Sequence, residues 1–211
     1  MTVLFSEWLA LMMDDLAHCY DVVLCIDGDD ANRHGPVGLG KSNIELAIGY
    51  ALQPAADLKK DLVVRDSISQ FHASLQDRRP FKLTMLDEAE WFFFKQWWYR
   101  PEVKGLTPEF KSNRKEQRIW ILSLPVIWDT VEFIRDKRIQ WRLKVEKRGT
   151  ASLYMHCASR FNDEKKDKWG TYIATFIQIP RVPDHVWDRY QDLVDSHVCK
   201  DGSCVSRMKK W

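Results

Sequence analysis

Leu4, Phe5, Trp8, Leu9, Met12, Met13 and Leu16 recur at helical spacing with acids between them, which predicts an amphipathic helix over 4–18. The run Val22-Val23-Leu24-Cys25-Ile26 is uninterrupted and rich in β-branched residues, and it stops at Asp27-Gly28-Asp29; this is the pattern of a buried strand. Residues 41–52 (KSNIELAIGYAL) then carry apolar side chains around most of a helix, closed by Pro54. Leu62-Val63-Val64, Phe81–Leu86 and Ile119–Leu124 read as further strands. Between them SISQFHASLQ, with Asp66 or Ser67 as its cap, and VIWDTVEFIRDKR read as helices. From Gln140 the pattern changes to two alternating strands turning at Arg148-Gly149-Thr150, another strand over 171–179, and a last amphipathic helix in VPDHVWDRYQDLVDSHV. The alternation of strand and helix through about residue 147 implies an α/β fold. Its sheet is mainly parallel with helices on both faces, and an antiparallel β extension lies near the C-terminus.

The chain has 211 residues, enough for one large domain and too few for two full cores. With 45% hydrophobic and 29% charged residues it has the composition of an ordinary folded protein, which excludes disordered and collagen-like classes. Thirty-two basic residues against 30 acidic ones leave a net charge of +2, so any polyanionic partner must be met by a local patch. No apolar stretch approaches the roughly 20 residues of a membrane span, and acids stand where a signal peptide carries bases; the expectation is an intracellular protein. Five cysteines (19, 25, 157, 199, 204) at irregular spacing read as reduced thiols. The close pair Cys199 and Cys204 has no second pair to complete a metal site and leaves disulfide pairing open. The six histidines lack ligand spacing and no Ser-His-Asp grouping appears, so metallohydrolase and nucleophilic hydrolase readings have no support.

Two segments carry chemistry. Gly35-Pro36-Val37-Gly38-Leu39-Gly40-Lys41-Ser42 fits G-x-x-x-x-G-K-[ST] in full, after a strand and before a helix. Such a loop curls backbone N–H groups around phosphate oxygens, with Asn43 following in the helix's first turn. Lys41 reaches the β/γ-phosphates and the Ser42 hydroxyl ligands Mg²⁺. A frame beginning at Gly38 fails the spacing. Asp27, Asp29 and Asp30 precede the loop and would repel a triphosphate if turned inward; they are expected to face Mg²⁺ or solvent. The second segment, Leu83-Thr84-Met85-Leu86-Asp87-Glu88, is an apolar strand ending in two acids. Asp87 is suited to hold Mg²⁺ through its water shell, and Glu88 to polarise an attacking water.

The loop, a strand and helix, and then LDEA on the next strand together resemble the additional-strand, catalytic-glutamate division of P-loop ATPases, over roughly residues 20–147. More narrowly, NRKEQRIWILSLP followed by TVEFIRDKRIQWRLKV is similar to the stretch after Walker B in the FtsK/HerA group and in zonula-occludens-toxin-like ATPases of phages and other mobile elements. Ser123 stands near the sensor position, although the Gln usual in FtsK/HerA proteins is absent. The resemblance implies an oligomeric ATP- and Mg²⁺-dependent motor, a ring that moves DNA in genome packaging or drives virion extrusion. It would act in the cytoplasm, the host's for a viral chain, or on the virion. It makes Arg114 the first candidate for an arginine finger, with Arg118, Arg135 and Arg138 behind it. It also divides the chain into an N-terminal helix (1–20), an ATPase domain (21–179; core 21–147, β extension 148–179) and a C-terminal helix with a basic tail (180–211).

Bases interleaved with aromatics in the middle of the chain leave DNA contact open. Residues 89–112 read as an aromatic-loaded helix that breaks up at Pro101, Gly105 and Pro108; three Phe, three Trp and one Tyr within 91–99 are too many for a helix with one wet face, so burial within the domain competes with a subunit or partner-protein interface, and the interface is favoured. A nucleotide or small-molecule kinase, and an ATP-dependent assembly protein without translocation, stand as alternatives.

Overall fold

Six consecutive residues with no exposed position, Val22–Asp27, form β1 at the interior of a seven-stranded sheet. The computed structural model describes residues 4–18, 21–28, 40–63, 67–96, 100–112, 117–155 and 175–198. The other strands are β2 (Leu62–Val63), β3 (Leu83–Leu86), β4 (Ile119–Ser123), β5 (Trp141–Lys147), β6 (Thr150–Met155) and β7 (Thr175–Gln178). They lie in the order β2-β3-β4-β1-β5-β6-β7. The first five positions pair in parallel, and β6 and β7 add an antiparallel extension. The expected α/β architecture with its late antiparallel strands is present.

Because side chains alternate across a strand, β1 serves two cores. Val22, Leu24 and Ile26 face one layer, which holds Trp8, Met12 and Leu16 of α1 (Phe5–His18), Ile44 and Ile48 of α2 (Lys41–Leu52), and Val186 and Tyr190 of α9 (Asp184–Val198). Val23 and Cys25 face the opposite layer, with Phe71 of α4 (Ile68–Gln76), Phe92 and Phe93 of α5 (Glu90–Phe93), Phe110 of α7 (Leu106–Ser112) and Ile134 of α8 (Glu132–Lys137). Helices therefore cover both faces of the sheet. Of two further helices of four residues, α3 (Leu58–Asp61) does not follow from the hydrophobic pattern, and α6 (Pro101–Lys104) lies within the stretch expected to break up at Pro101 and Gly105. The first is started by the Asp57 side chain, which accepts from the Lys59 N–H.

Two buried ion pairs pin β1 at its ends. Arg138 donates through Nη1 to Asp21 Oδ1 at 3.0 Å, with a second bond from Nη2 to Oδ2, just before the strand begins. Arg142 of β5 donates through Nε and Nη2 to the two oxygens of Asp27 at 2.9 and 2.6 Å, where it ends. Both are bidentate and desolvated, a geometry that fixes register as well as charge.

The aromatic segment departs from expectation. Among the described residues of the segment only Glu90–Phe93 is helical; Phe94 leaves the helix to form a bridge with Thr130, and Trp97, Trp98 and Tyr99 lie outside the described residues. Phe92 and Phe93 are fully buried inside the chain's own second core. There Phe71 meets Phe92, Phe93, Phe110 and Trp120 with ring centroids 4.7, 5.7, 6.2 and 6.1 Å away. That half of the apolar surplus is thus used internally. Among the described residues no helix is long and apolar enough to cross a membrane. Cys25 is a buried free thiol, whereas Cys19, Cys157, Cys199 and Cys204 lie outside the described residues.

Truncating a ring at the centre of such a cluster leaves a cavity that close-packed neighbours cannot fill. Phe93→Ala should cost about 3–5 kcal/mol in urea unfolding. Trp91→Ala, at a partly exposed position, should cost less than about 2 kcal/mol. Similar losses for the two variants would show that the segment is not core on one side only.

Candidate functional site

Parallel pairing brings the C-terminal ends of β1, β3 and β4 to one edge of the sheet, at Asp27, Leu86 and Ser123. The α2 helix starts at that edge. Its N-cap, Gly40, has φ +80°, in the left-handed region where a β-carbon is unfavourable, and the Gly40 carbonyl accepts from the Ile44 N–H at 3.0 Å. Among the described residues no side chain caps this helix, and its first turn contains no acid, so its leading N–H groups and positive end are not offset from within that turn. Gly40, Lys41, Ser42 and Asn43 belong to this turn; Gly35, Pro36, Val37, Gly38 and Leu39 lie outside the described residues.

Ser42 and Asp87, 45 positions apart in sequence, meet here: Ser42 Oγ donates to Asp87 Oδ1 at 3.3 Å. Lys41 Nζ donates to the Leu124 carbonyl oxygen at 2.9 Å, just past the end of β4. The turn after β3 sends its two acids in different directions. Asp87 is buried, whereas Glu88 is exposed, with its carboxylate accepting from Trp91 Nε1 at 3.3 Å. Glu88 has φ +53°, an uncommon conformation for a residue with a β-carbon, and the Ala89 N–H donates to the Ser123 carbonyl at 2.8 Å. The position near which a sensor was expected thus ties the acidic turn to β4 through its backbone. Asp87 has a second partner that the sequence did not suggest: Tyr190 Oη, from α9, donates to Oδ2 at 2.7 Å.

Further acids surround this pair. Glu45, one turn into α2 from Lys41, is completely buried, and burial, reinforced by Asp87, pushes its pKa well above the carboxylate range. Glu90 is raised to about 7, mainly by burial, with Glu88 and Asp87 adding to the shift and its own backbone and Lys41 opposing it. Lys41 is lowered by burial, against the pull of Glu90, Asp27 and Asp87. The Tyr190 phenol is raised by burial and by Asp87. Asp27 turns neither to solvent nor toward a cation site but to Arg142; Asp29 and Asp30 lie outside the described residues.

No protein-family model matches the chain, and no curated protein is significantly similar to it.

The candidate arginines separate by burial. Arg114 lies outside the described residues. Arg118 is fully buried and donates through Nη1 to the Ser74 carbonyl at 2.8 Å, Arg138 is committed to Asp21, and Arg135 pairs with Asp136 while lying 5.2 Å over the Trp128 ring. Arg118 and Arg138, enclosed in the fold, cannot reach a neighbouring subunit. Arg148, at the β5–β6 turn, was read from the sequence as one of the bases in the middle of the chain; a β-carbon on Gly40 would lie 3.9 Å from its Cγ. Tyr190, Glu45 and Glu90 escaped sequence reasoning. Tyr190 sits at the core-facing spacing of an amphipathic helix, and the two glutamates carry no motif, so burial alone distinguishes them.

Burial of Glu90 links stability to pH. Its folded-state pKa lies above that of the unfolded chain, so the contribution is full below about pH 4.5 and is lost as pH rises to about 7. Glu90→Gln removes this dependence. Relative to wild type, the variant should gain up to about 3 kcal/mol between pH 5 and pH 8 in urea unfolding. A stability difference that does not change with pH would contradict the burial of this carboxyl.

Proposed function

We propose that this chain is an ATP-hydrolysing P-loop motor, a DNA translocation or genome-packaging ATPase of a virus or mobile element that works as a homo-oligomeric ring. The observation that carries the reading is the meeting of Ser42 with Asp87, beside Lys41, at the C-terminal edge of parallel strands. The acidic strand end, weak evidence by itself, gains weight when the fold brings Asp87 within hydrogen-bond distance of Ser42. The sheet order adds support. Strand β4 stands between β1, which leads to the glycine-rich segment, and β3, which leads to the acids, so one strand is interposed as the name of the additional-strand division describes.

The residues fit MgATP. Ser42 Oγ and Asp87 Oδ1 are oxygen donors of the kind a hard cation takes, directly or through retained waters. The start of α2, acid-free in its first turn and uncapped among the described residues, offers backbone N–H groups to phosphate oxygens, and Lys41 supplies a positive charge at the same edge. Bound there, Mg²⁺ would neutralise charge that develops on the β- and γ-phosphates. Lys41 exchanges the Leu124 carbonyl for a phosphate oxygen, so filling the site is communicated to the end of β4. Glu88, exposed and held at +53°, accepts a proton from the water that attacks the γ-phosphate. The Ala89–Ser123 bond keeps this turn fixed to β4 while the reaction proceeds.

Glu88→Gln should lower ATP turnover by about 100-fold or more while leaving nucleotide binding intact, and Lys41→Ala should weaken binding itself. Both are read from phosphate release and equilibrium binding. Single- or double-stranded DNA should stimulate wild-type turnover. Phosphate transfer to an added acceptor would instead identify a kinase, and tight binding without turnover an assembly protein; a chain that forms no oligomer and ignores DNA is not a translocase.

A further inference from the structure

We propose that Tyr190 is a positioning residue for Asp87, through which the docking of the C-terminal helix is coupled to Mg²⁺-dependent nucleotide binding; this rests on the reading of Asp87 as the Mg²⁺-side carboxylate.

Tyr190 is buried on α9, and its ring is fixed by its neighbours: Trp187 lies 5.3 Å away, centroid to centroid, and Val186 packs into the same core. Five residues earlier, His185 meets Tyr50 of α2 edge-on at 6.0 Å, which seats α9 on the helix that carries Lys41 and Ser42. Packing explains an aromatic ring at this position but not a hydroxyl. A buried hydroxyl is costly unless bonded, and this one is bonded to Asp87.

The two bonds on Asp87 divide its carboxylate between elements. Oδ1 receives Ser42 from the first turn of α2 at 3.3 Å; Oδ2 receives Tyr190 from α9 at 2.7 Å, the shorter of the two. Rotation of the carboxylate would break one bond or both, so its plane is set by α2 and α9 jointly. Such an outer partner orients a carboxylate before a cation arrives, and loss of such partners typically weakens metal affinity 10- to 100-fold. Coupling of this kind is reciprocal. If α9 aligns Asp87 for the cation, then filling the site with cation and nucleotide holds α9 in place.

The test compares wild type with Tyr190→Phe, which keeps the ring and removes only the donor, in the full chain. Affinity for a fluorescent ATP analogue is measured with and without Mg²⁺, and hydrogen exchange of residues 184–196 is followed with and without Mg²⁺ and the analogue. In wild type, Mg²⁺ should tighten binding and slow exchange in α9. In Tyr190→Phe the Mg²⁺-free affinity should be unchanged, the tightening by Mg²⁺ should shrink by about tenfold, and the slowing of exchange should disappear. An equal Mg²⁺ effect in both proteins overturns the proposal and leaves the nucleotide reading standing. Wild type that binds no nucleotide overturns that reading, and this proposal with it. Trp187→Leu controls for packing: it should lower the melting temperature at least as much as Tyr190→Phe while keeping the Mg²⁺ step, and loss of the step in both variants would assign Tyr190 to helix packing alone.

Discussion

The fixed point of this structure is β1. It is buried along its whole length, supplies side chains to both cores, and is closed at each end by a bidentate arginine–aspartate pair. Because Arg138 and Arg142 both stand at the entry to or within β5, the two pairs lock β1 against β5, while the parallel ladder with β4 locks its other side. A one-residue slip would move Val22, Leu24 and Ile26 into the wrong layer and separate both ion pairs at once. The position of Asp27, the height of the strand ends at Leu86 and Ser123, and the point at which α2 can begin all follow from that register. The Ser42–Asp87 and Lys41–Leu124 bonds are consequences of it.

The same arrangement answers the electrostatic difficulty of the site. Asp27, Glu45, Asp87, Glu88 and Glu90 gather around one lysine, an environment that if fully charged would repel a polyphosphate. Three features reduce the repulsion. Asp27 is matched by Arg142. Burial favours the neutral forms of Glu45 and Glu90. Glu88 lies on the exposed side of its turn, its carboxylate accepting from Trp91 at the margin of the cluster. What remains facing inward is the Asp87 carboxylate with two hydroxyl partners, the local geometry that a hydrated divalent cation accompanying a nucleotide would meet.

Elements were legible in the sequence where hydrophobic period and turn chemistry agree. The spacing of Trp8, Met12 and Leu16, the unbroken run of β1, the alternation around Arg148-Gly149 and the amphipathic helix 184–198 all reappear with small shifts of boundary. The acidic pair after β3 was legible as an end-of-strand motif, and the fold does bring Asp87 to Ser42. The segment 91–99 was legible in part, because an apolar surplus says that something covers a stretch and not whether the cover is the chain's own core or a partner. In the structure Phe92 and Phe93 satisfy it within the second core, and the helix stops after Phe93. Asp27 misled for a different reason: an acid beside a glycine-rich segment invites a role with metal, and its arginine lies 115 residues away on a strand whose neighbour cannot be inferred from local pattern. Tyr190 was illegible on the same grounds, since its contact with Asp87 spans 103 residues.

Long-range pairing also changes how the basic residues are weighed. In the sequence Arg118, Arg135, Arg138, Arg142, Lys144, Lys147 and Arg148 form one basic stretch, suited to a polyanion. In the fold Arg118, Arg138 and Arg142 are buried, and they serve carbonyls, aspartates and aromatic rings, including Trp128 and Tyr154, which lie 5.8 and 5.5 Å from the Arg142 guanidinium. A guanidinium enclosed in this way contributes to register and not to the external field. Lys137, Lys147 and Arg148 remain exposed, with Arg100 and Lys104 elsewhere on the surface. Surface attraction to a polyanion must therefore come from fewer charges than the composition suggests. One of them, Arg148, lies beside Gly40. Its aliphatic stem is what meets the start of α2, so its charge stays on the exposed side of the fold.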